Sequence, residues 1–326
     1  MTRNAYLPLV IAHRGASGYR PEHSRAAVQL AIEQGADAIE PDLVATRDGV
    51  LVVRHDNELS ITTDVASHGE FLERRRSAVI DGQRLTGWFT EDFTWAELST
   101  LSVRERLPRV RPGNTAYDGR EPLLRLHDLL QIVRGHPLLV VAELKHATHF
   151  ASIGLPLHQL LLDQLGDFPR ERLIVESFEL TALEQLARLG LTSRLVYLVE
   201  AQGAPADRPH ASYVDSLTDP GLAFLAGRVH GISVGKNLIL GPDAGGGASS
   251  LVDRAHAAGL SIFTWTLRAE NRFLLKEHRL PGSPRSWGDW RLEFSRIFES
   301  GVDGVFADQP DLALAARAAS DVGGRA

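Results

Sequence analysis

Eight short apolar runs, spread along the chain and separated by helical patterns, constrain this sequence more than any other feature. They end near His13, Asp42, Lys145, Ser177, Val199, Val234, Leu267 and Ala307, and all but one lead into an obvious helix. Short continuous apolar runs of this kind read as parallel strands covered on both faces. Eight strand–helix repeats in an α/β pattern predict a closed (β/α)₈ TIM barrel. In that fold the working residues sit at the C-terminal ends of the strands. The expectation is a single barrel domain over residues 1–326, with an insertion at about 57–121 after the second barrel strand. There the periodicity fades into charges, aromatics and turn residues, and some short elements are expected because so long a structureless loop is disfavoured.

Local signals fill in the rest. Ser24 is placed to cap a helix over Arg25 to Gln34, which Gly35 closes. Further helices are expected over Leu126 to Arg134, Leu155 to Leu165, Leu180 to Leu189, Ser250 to Ala258, Trp290 to Ser300 and from Pro310, with a tail from Ala315 that frays. The Arg74-Arg75-Arg76 run reads as a solvated helix face. Gly241 to Ser250, with its Gly245-Gly-Gly, lacks the Gly-Lys-Ser/Thr ending of a phosphate loop and reads as a flexible loop.

The stretch from Gly35 to Asp56 gathers chemistry by local geometry. Ala38 to Val44 and Val50 to Arg54 are apolar runs joined at Asp48-Gly49, a strong hairpin signal. Alternate strand residues share a face, so Glu40 and Asp42 project together. A two-residue Asp48-Gly49 turn would set His55 opposite Asp42. Two carboxylates on one buried face repel each other and lose hydration, and a cation would offset both costs. Glu143, at the end of Val140-Val-Ala-Glu-Leu-Lys145, adds a third, although it could simply pair with Lys145. Taken together, Glu40, Asp42 and Glu143 read as a cage for a hard divalent metal ion, Mg²⁺ or Ca²⁺. No paired-histidine spacing suggests zinc.

Composition removes several alternatives. With no cysteine, disulfides, thiolate metal sites and a thiol nucleophile are excluded. A net charge of -6 argues against nucleic acid or an anionic membrane as electrostatic partner. No apolar run reaches transmembrane length, so no stable membrane insertion is expected. Met1 to Ala12 carries a single basic residue and does not resemble a signal peptide. The expected location is cytoplasmic, with export open if the chain start has been processed. Oligomeric state is not readable here.

Two of the thirteen histidines, His13 and His55, converge with the carboxylates at strand ends, and Arg14 beside them offers a guanidinium suited to phosphate oxygens. Two imidazoles, a metal and basic residues suit displacement at a phosphodiester, one histidine taking a proton from the nucleophile and the other giving one to the leaving oxygen.

The ordered set His13-Arg-Gly, Pro21-Glu22, Gly35-Ala-Asp-x-Ile-Glu40-x-Asp42, Thr46-x-Asp-Gly, His55-Asp56, Glu143-x-Lys145, Ser177-Phe178, Trp265-Thr266 and Val302-Asp-Gly-Val-Phe-Ala-Asp308-x-Pro310 resembles the glycerophosphodiester phosphodiesterase family, in particular its larger bacterial members. The resemblance implies a barrel hydrolase that cleaves small-molecule glycerophosphodiesters to glycerol 3-phosphate and an alcohol. It also implies that His13 and His55 are the acid–base pair, that Glu40, Asp42 and Glu143 bind metal, and that Arg14 and Lys145 contact phosphate. Phe178 and Trp265 either line a leaving-group pocket or serve as rim and core aromatics. Two departures stand out: Pro21-Glu22-His23-Ser24 replaces the family's usual Pro-Glu-Asn-Thr, and the Asn that commonly follows the Trp-Thr motif is replaced near Arg268. A lysophospholipase D-like hydrolase is the rival within the class. A non-catalytic phosphodiester-binding protein is the rival outside it, and its mark, loss of a catalytic His or a metal carboxylate, is not present.

Overall fold

The computed structural model describes residues 7–241 and 250–323. Its strands are β1 (Leu9–His13), β2 (Ala38–Glu40), β3 (Asp42–Ala45), β4 (Leu51–Val53), β5 (Arg76–Ile80), β6 (Gln83–Gly87), β7 (Leu139–Leu144), β8 (Leu173–Ser177), β9 (Arg194–Val199), β10 (Gly231–Gly235), β11 (Ser261–Leu267) and β12 (Gly304–Ala307). The large sheet runs β2-β1-β12-β11-β10-β9-β8-β7-β3-β4, and pairing of β2 with β7 closes it. Pro41 interrupts the second barrel strand, because proline has no N–H for the ladder. The register nevertheless continues across it, with Ala38 beside Leu139 in β2 and Asp42 beside Glu143 in β3. Counting β2 and β3 as one strand gives the eight-stranded parallel barrel, with helices outside it.

The position of the working residues follows from the two-residue period of these strands. Ile11, Ala38, Val141, Ile174, Val196, Phe263 and Phe306 form a buried apolar plug inside the barrel. Side chains two positions further along face the same interior. Those positions are His13, Glu40, Glu143, Glu176, Leu198, Trp265 and Asp308, five of the seven being titratable. A greasy floor thus passes directly into a polar layer at the C-terminal mouth. A separate, larger apolar cluster fills the space between barrel and helices.

The helix Arg25–Glu33 begins where expected, with Ser24 Oγ accepting from Ala27 N at 3.0 Å, and Gly35 follows its end at φ +82°. The helix expected over Leu155 to Leu165 is present as Leu157–Gln164, capped by Pro156, and a short helix that was not expected, Ala147–Ser152, precedes it. The final helix runs Pro310–Gly323, so the fraying expected from Ala315 is not seen within the described residues. The Gly245-Gly-Gly loop falls outside those residues. Between 57 and 121 lie short 3₁₀ turns, the β5–β6 hairpin and the helix Trp95–Leu98. Arg74 to Arg76 do not form a helix face: Arg74 ends a 3₁₀ turn and pairs with Glu97 at 2.5 Å, while Arg76 opens β5 and pairs with Asp92 at 2.5 Å.

The β3–β4 hairpin corrects the expected register. Leu43 pairs with Val53 and Ala45 with Leu51, so Arg54, whose N–H donates to Asp42 O at 3.0 Å, stands opposite Asp42 in place of His55. The loop is Arg47-Asp48-Gly49, one residue longer than a two-residue turn. Gly49 takes φ +78°, and Thr46 Oγ1 accepts from Val50 N at 2.9 Å across the loop. A three-residue loop ending in a left-handed glycine is the next most common hairpin after the two-residue turns. His55 enters the site because β4 has already ended at Val53.

Candidate active site

Three carboxylates meet at the barrel mouth. Glu40, Asp42 and Glu143 each bring an oxygen to within 4.8 Å of the others, and all three are buried. Burial, and next the charge of Asp42, push Glu40 well above the usual carboxylate range. Burial likewise pushes Glu143 up to about 8, although Lys145 Nζ lies 2.7 Å away and pulls the other way. Burial works most strongly against the charge of Asp42 too, but Arg14, His55, Lys145 and the His23 hydrogen bond together outweigh it and hold this carboxyl well below its usual range. Its neighbours are Arg14 Nε at 3.2 Å, His23 Nε2 at 2.8 Å and Lys145 Nζ at 3.8 Å. Two buried carboxyls that resist ionisation beside one that does not make a site short of positive charge, offering only oxygen ligands. Those residues fit a hard divalent cation. The Glu143–Lys145 ion pair entertained from sequence is also present, so pairing and cage coexist.

Each histidine is held by a carboxylate through Nδ1. His13 Nδ1 lies 2.6 Å from Asp308 Oδ1, and His55 Nδ1 lies 2.7 Å from Asp56 Oδ1. Such a contact fixes the ring and leaves Nε2 as the exchanging nitrogen. Asp308 is itself anchored: Arg111 Nη2 and Arg268 Nε both reach its Oδ2 at 2.7 Å. Arg106 bridges Asp56 at 2.7 Å and Glu22 at 2.7 Å, and Glu22 also meets Arg14 at 3.1 Å. Lys145 Nζ stands 3.3 Å from His55 Nε2. Burial, then Arg14, lower His13 to about 4 and His55 to about 3, so both rings rest neutral at pH 7.

Those shifts carry a stability consequence. The unfolded chain protonates both rings below about pH 6.5, whereas the folded chain does so only near 4 and 3. Unfolding therefore takes up protons in that window, and stability falls as pH drops from 6.5 towards 4. His13→Gln and His55→Gln should each flatten the dependence of urea-unfolding free energy on pH by up to about 1.4 kcal/mol per pH unit. An unchanged slope would show that the rings are not buried neutral.

A cavity of about 520 Å³ opens from this cluster. His13, Arg14, Glu40, His55, Glu143, Lys145, Phe178 and Trp265 all line it. Of the expected site residues only Asp42 does not; it lies behind them with 1% exposure. Phe178 and Trp265 meet edge to face at 6.0 Å in the cavity wall, and Phe178 also packs against the core. From the insertion, the β5–β6 tip contributes Asp81 and Gln83 to the cavity. His23, in place of the family's usual Asn, takes φ +58° and hydrogen-bonds Asp42, a left-handed position that histidine tolerates better than most residues. Arg268, at the other departure, is spent on Asp308.

Sequence reasoning missed several participants. Asp308 could have been found, since it stands two positions past Phe306 on the inward face of the last strand. The same parity argument would have found Glu176. Arg106 and Arg111 come from the aperiodic insertion, where no pattern singles them out.

A family model for the glycerophosphoryl diester phosphodiesterase family matches residues 13–312. A glycerophosphodiester phosphodiesterase of Arabidopsis thaliana, GDPD6, is 30% identical, the match covering 92% of this chain and 83% of that protein. Among solved structures, a Silicibacter pomeroyi DSS-3 protein named for the same family superposes with a TM-score of 0.69 at 23% identity, covering 98% of this chain and 95% of that one. A phosphodiesterase of Oleispira antarctica, solved with its product sn-glycerol-3-phosphate, gives 0.62 at 21% identity, with 95% and 96% covered. At that identity these two speak for the fold. Among the described residues no helix is long and apolar enough to cross a membrane.

Proposed function

We propose, for a chain that belongs to the glycerophosphoryl diester phosphodiesterase family and is a phosphoric diester hydrolase, that it cleaves glycerophosphodiesters to glycerol 3-phosphate and an alcohol. Glu40, Asp42 and Glu143 hold a divalent metal ion, and His13 and His55 are the acid–base pair. The observation that carries this reading is the convergence on one cavity of two carboxylate-held imidazoles, a carboxylate cage and two basic side chains.

Glu40, Asp42 and Glu143 would hold Mg²⁺ or Ca²⁺, which would supply positive charge to the phosphodiester and lower the pKa of the attacking hydroxyl. The chain's own groups do the rest. Arg14 and Lys145 place guanidinium and ammonium charge where the phosphodiester anion lies, which stabilises the charge that builds on its oxygens. Nε2 of one histidine takes the proton of the nucleophile, a water or the glycerol 2-hydroxyl. Nε2 of the other gives a proton to the leaving alcohol. Both rings rest neutral, so the acid gains its proton when the anionic substrate is bound beside it, because a nearby anion favours the charged imidazolium. Asp308 and Asp56 then stabilise whichever ring is charged.

The Oleispira relative was captured with sn-glycerol-3-phosphate, and the same product is expected here. Incubating the protein with a glycerophosphodiester and following products by ³¹P NMR should show glycerol 3-phosphate. Appearance of the phosphorylated headgroup would overturn the bond assignment. Faster turnover of lysophosphatidylcholine would move the substrate class to lipids, against the polar tip that Asp81 and Gln83 present to the cavity.

A further inference from the structure

A folded arm, Ala269 to Asp289, joins β11 to the helix Trp290–Glu299. Its two legs pair as an irregular hairpin. Asn271 N donates to Ser286 O at 2.8 Å, Arg272 N to Pro284 O at 2.9 Å and Gly288 N to Ala269 O at 3.0 Å, and Glu270 and Trp287 form a bridge between the legs. The Asn271 side chain clamps both backbone groups of Leu280, accepting from its N–H at 3.0 Å and donating to its carbonyl at 2.8 Å. The arm leaves the barrel from Arg268, which lines the cavity, so it stands at the rim of the mouth.

Its outer surface combines two properties that a solvated loop does not need together. Trp287 and Leu280 are 48% and 50% exposed, and Pro281 and Pro284 beside them are exposed as well. Trp287 is nevertheless held in place, edge to face with the buried Trp290 at 6.5 Å. In the same arm and the first helical turn after it, Arg272, Lys276, Arg279, Arg285 and Arg291 are all exposed. Among the described residues none of these five meets a carboxylate. Arg279 Nε donates to Leu274 O at 2.9 Å, and Arg291 lies 4.5 Å from the centre of the Trp290 ring. The nearby acids are spent inward: Glu270 on Arg111 at 2.7 Å, Glu293 on Lys236 and His278, and Asp289 on the backbone N–H of Leu292. Glu277 is the one exposed acid of the arm. On a chain of net charge -6 this is a local reversal of sign.

An anchored, half-exposed tryptophan among unpaired cations is the chemistry that recognises a lipid–water interface carrying negative charge. The indole suits headgroup depth, and each guanidinium or ammonium near the surface is drawn by anionic headgroups. We propose that this arm is a peripheral docking surface for anionic bilayers, which sets the mouth of the cavity against the membrane. Charge complementarity selects this occupant. A nucleic acid or an acidic protein surface would satisfy the cations and leave Trp287 and Leu280 in water, and a symmetric second copy of the chain would set the five cations against their own kind. The net charge of -6 keeps the rest of the molecule off such a surface, which fixes the orientation. Docking stands on the surface alone, and the hydrolase reading gives it a use. A glycerophosphodiester with both glycerol hydroxyls free is what remains when a glycerophospholipid loses its acyl chains, so the reaction class that supplies it is acyl-ester hydrolysis at a bilayer.

The test is co-sedimentation of the whole protein with vesicles of phosphatidylcholine alone and of an equimolar mixture with phosphatidylglycerol. We expect binding to the anionic vesicles, weakened by added salt, and none to the neutral ones. Lys276→Gln combined with Arg285→Gln should weaken that binding by about fivefold per cation removed. Both side chains are exposed, so this variant keeps the test decisive if Trp287→Ser loses its fold through the contact with Trp290. Brominated lipid in the anionic vesicles should quench tryptophan fluorescence of the wild type, and Trp287→Phe should remove that quenching. Binding to neither vesicle, or binding to anionic vesicles that the paired substitution does not weaken, overturns the proposal. Binding weakened by the paired substitution but without quenching from Trp287 also overturns it, and moves the arm to a polyanion or an acidic protein. Self-association without vesicle binding moves it to a second copy of the chain. Each of these outcomes leaves the hydrolase reading standing, and a failure to hydrolyse glycerophosphodiesters would leave vesicle binding standing.

Discussion

Replacing His13 or His55 by Ala should lower kcat by about 10²–10⁴, with little change in KM, because each loss removes one proton transfer while the phosphate-binding groups stay. The two losses should then separate with the leaving group. An aryl ester such as a p-nitrophenyl phosphodiester departs as a stabilised phenolate and needs no proton. The variant lacking the acid should recover on it, and the variant lacking the base should not. Structure gives this division a physical footing: both rings are pinned through Nδ1 by a carboxylate, at 2.6 Å and 2.7 Å, and both present Nε2 to one cavity. Recovery of both variants, or of neither, would show that one ring orients phosphate and carries no proton.

Glu40→Gln, Asp42→Asn and Glu143→Gln should each abolish most activity and weaken divalent-cation binding, read by calorimetry, by at least the 10–100-fold typical of lost metal-site support. Their effects on the metal-free protein should differ in sign. Glu40 is pushed well above its usual range by burial and Asp42, so its charge opposes folding at pH 7, and Glu40→Gln should raise the melting temperature without metal. Asp42 is held well below its range against the cost of burial, chiefly by Arg14. Asp42→Asn leaves Arg14, His23 and Lys145 short of a partner and should lower that temperature. A sharp fall with Glu40→Gln would mean that this carboxylate is structural.

Much of this was legible because parallel barrel strands announce themselves as apolar runs whose last residue changes character. The ends at His13, Ser177, Val199, Leu267 and Ala307 coincide with the observed strand ends. The pairing of Glu40 with Asp42 followed from the strand period alone, and it survived the break at Pro41 because register continues on both sides. The hairpin register did not follow, since Asp48-Gly49 fits a two-residue turn or the last two positions of a three-residue loop, and only backbone geometry separates them. Arg106 and Arg111 were illegible for a different reason. They reach the site from an aperiodic insertion, so nothing in their sequence neighbourhood marks them as partners of Asp56 and Asp308. Glu176 was hidden inside an apolar run, where a charge looks like an interruption until the inward parity of β8 is known.

Hydrolysis of a glycerophosphodiester by this chain should depend on a divalent cation held by Glu40, Asp42 and Glu143. The most direct test is to strip the protein with chelator, dialyse it, and follow glycerol 3-phosphate release before and after adding Mg²⁺ or Ca²⁺. The stripped protein should release none, and addition of one of these ions should restore release. Full release from the metal-free sample would contradict that dependence.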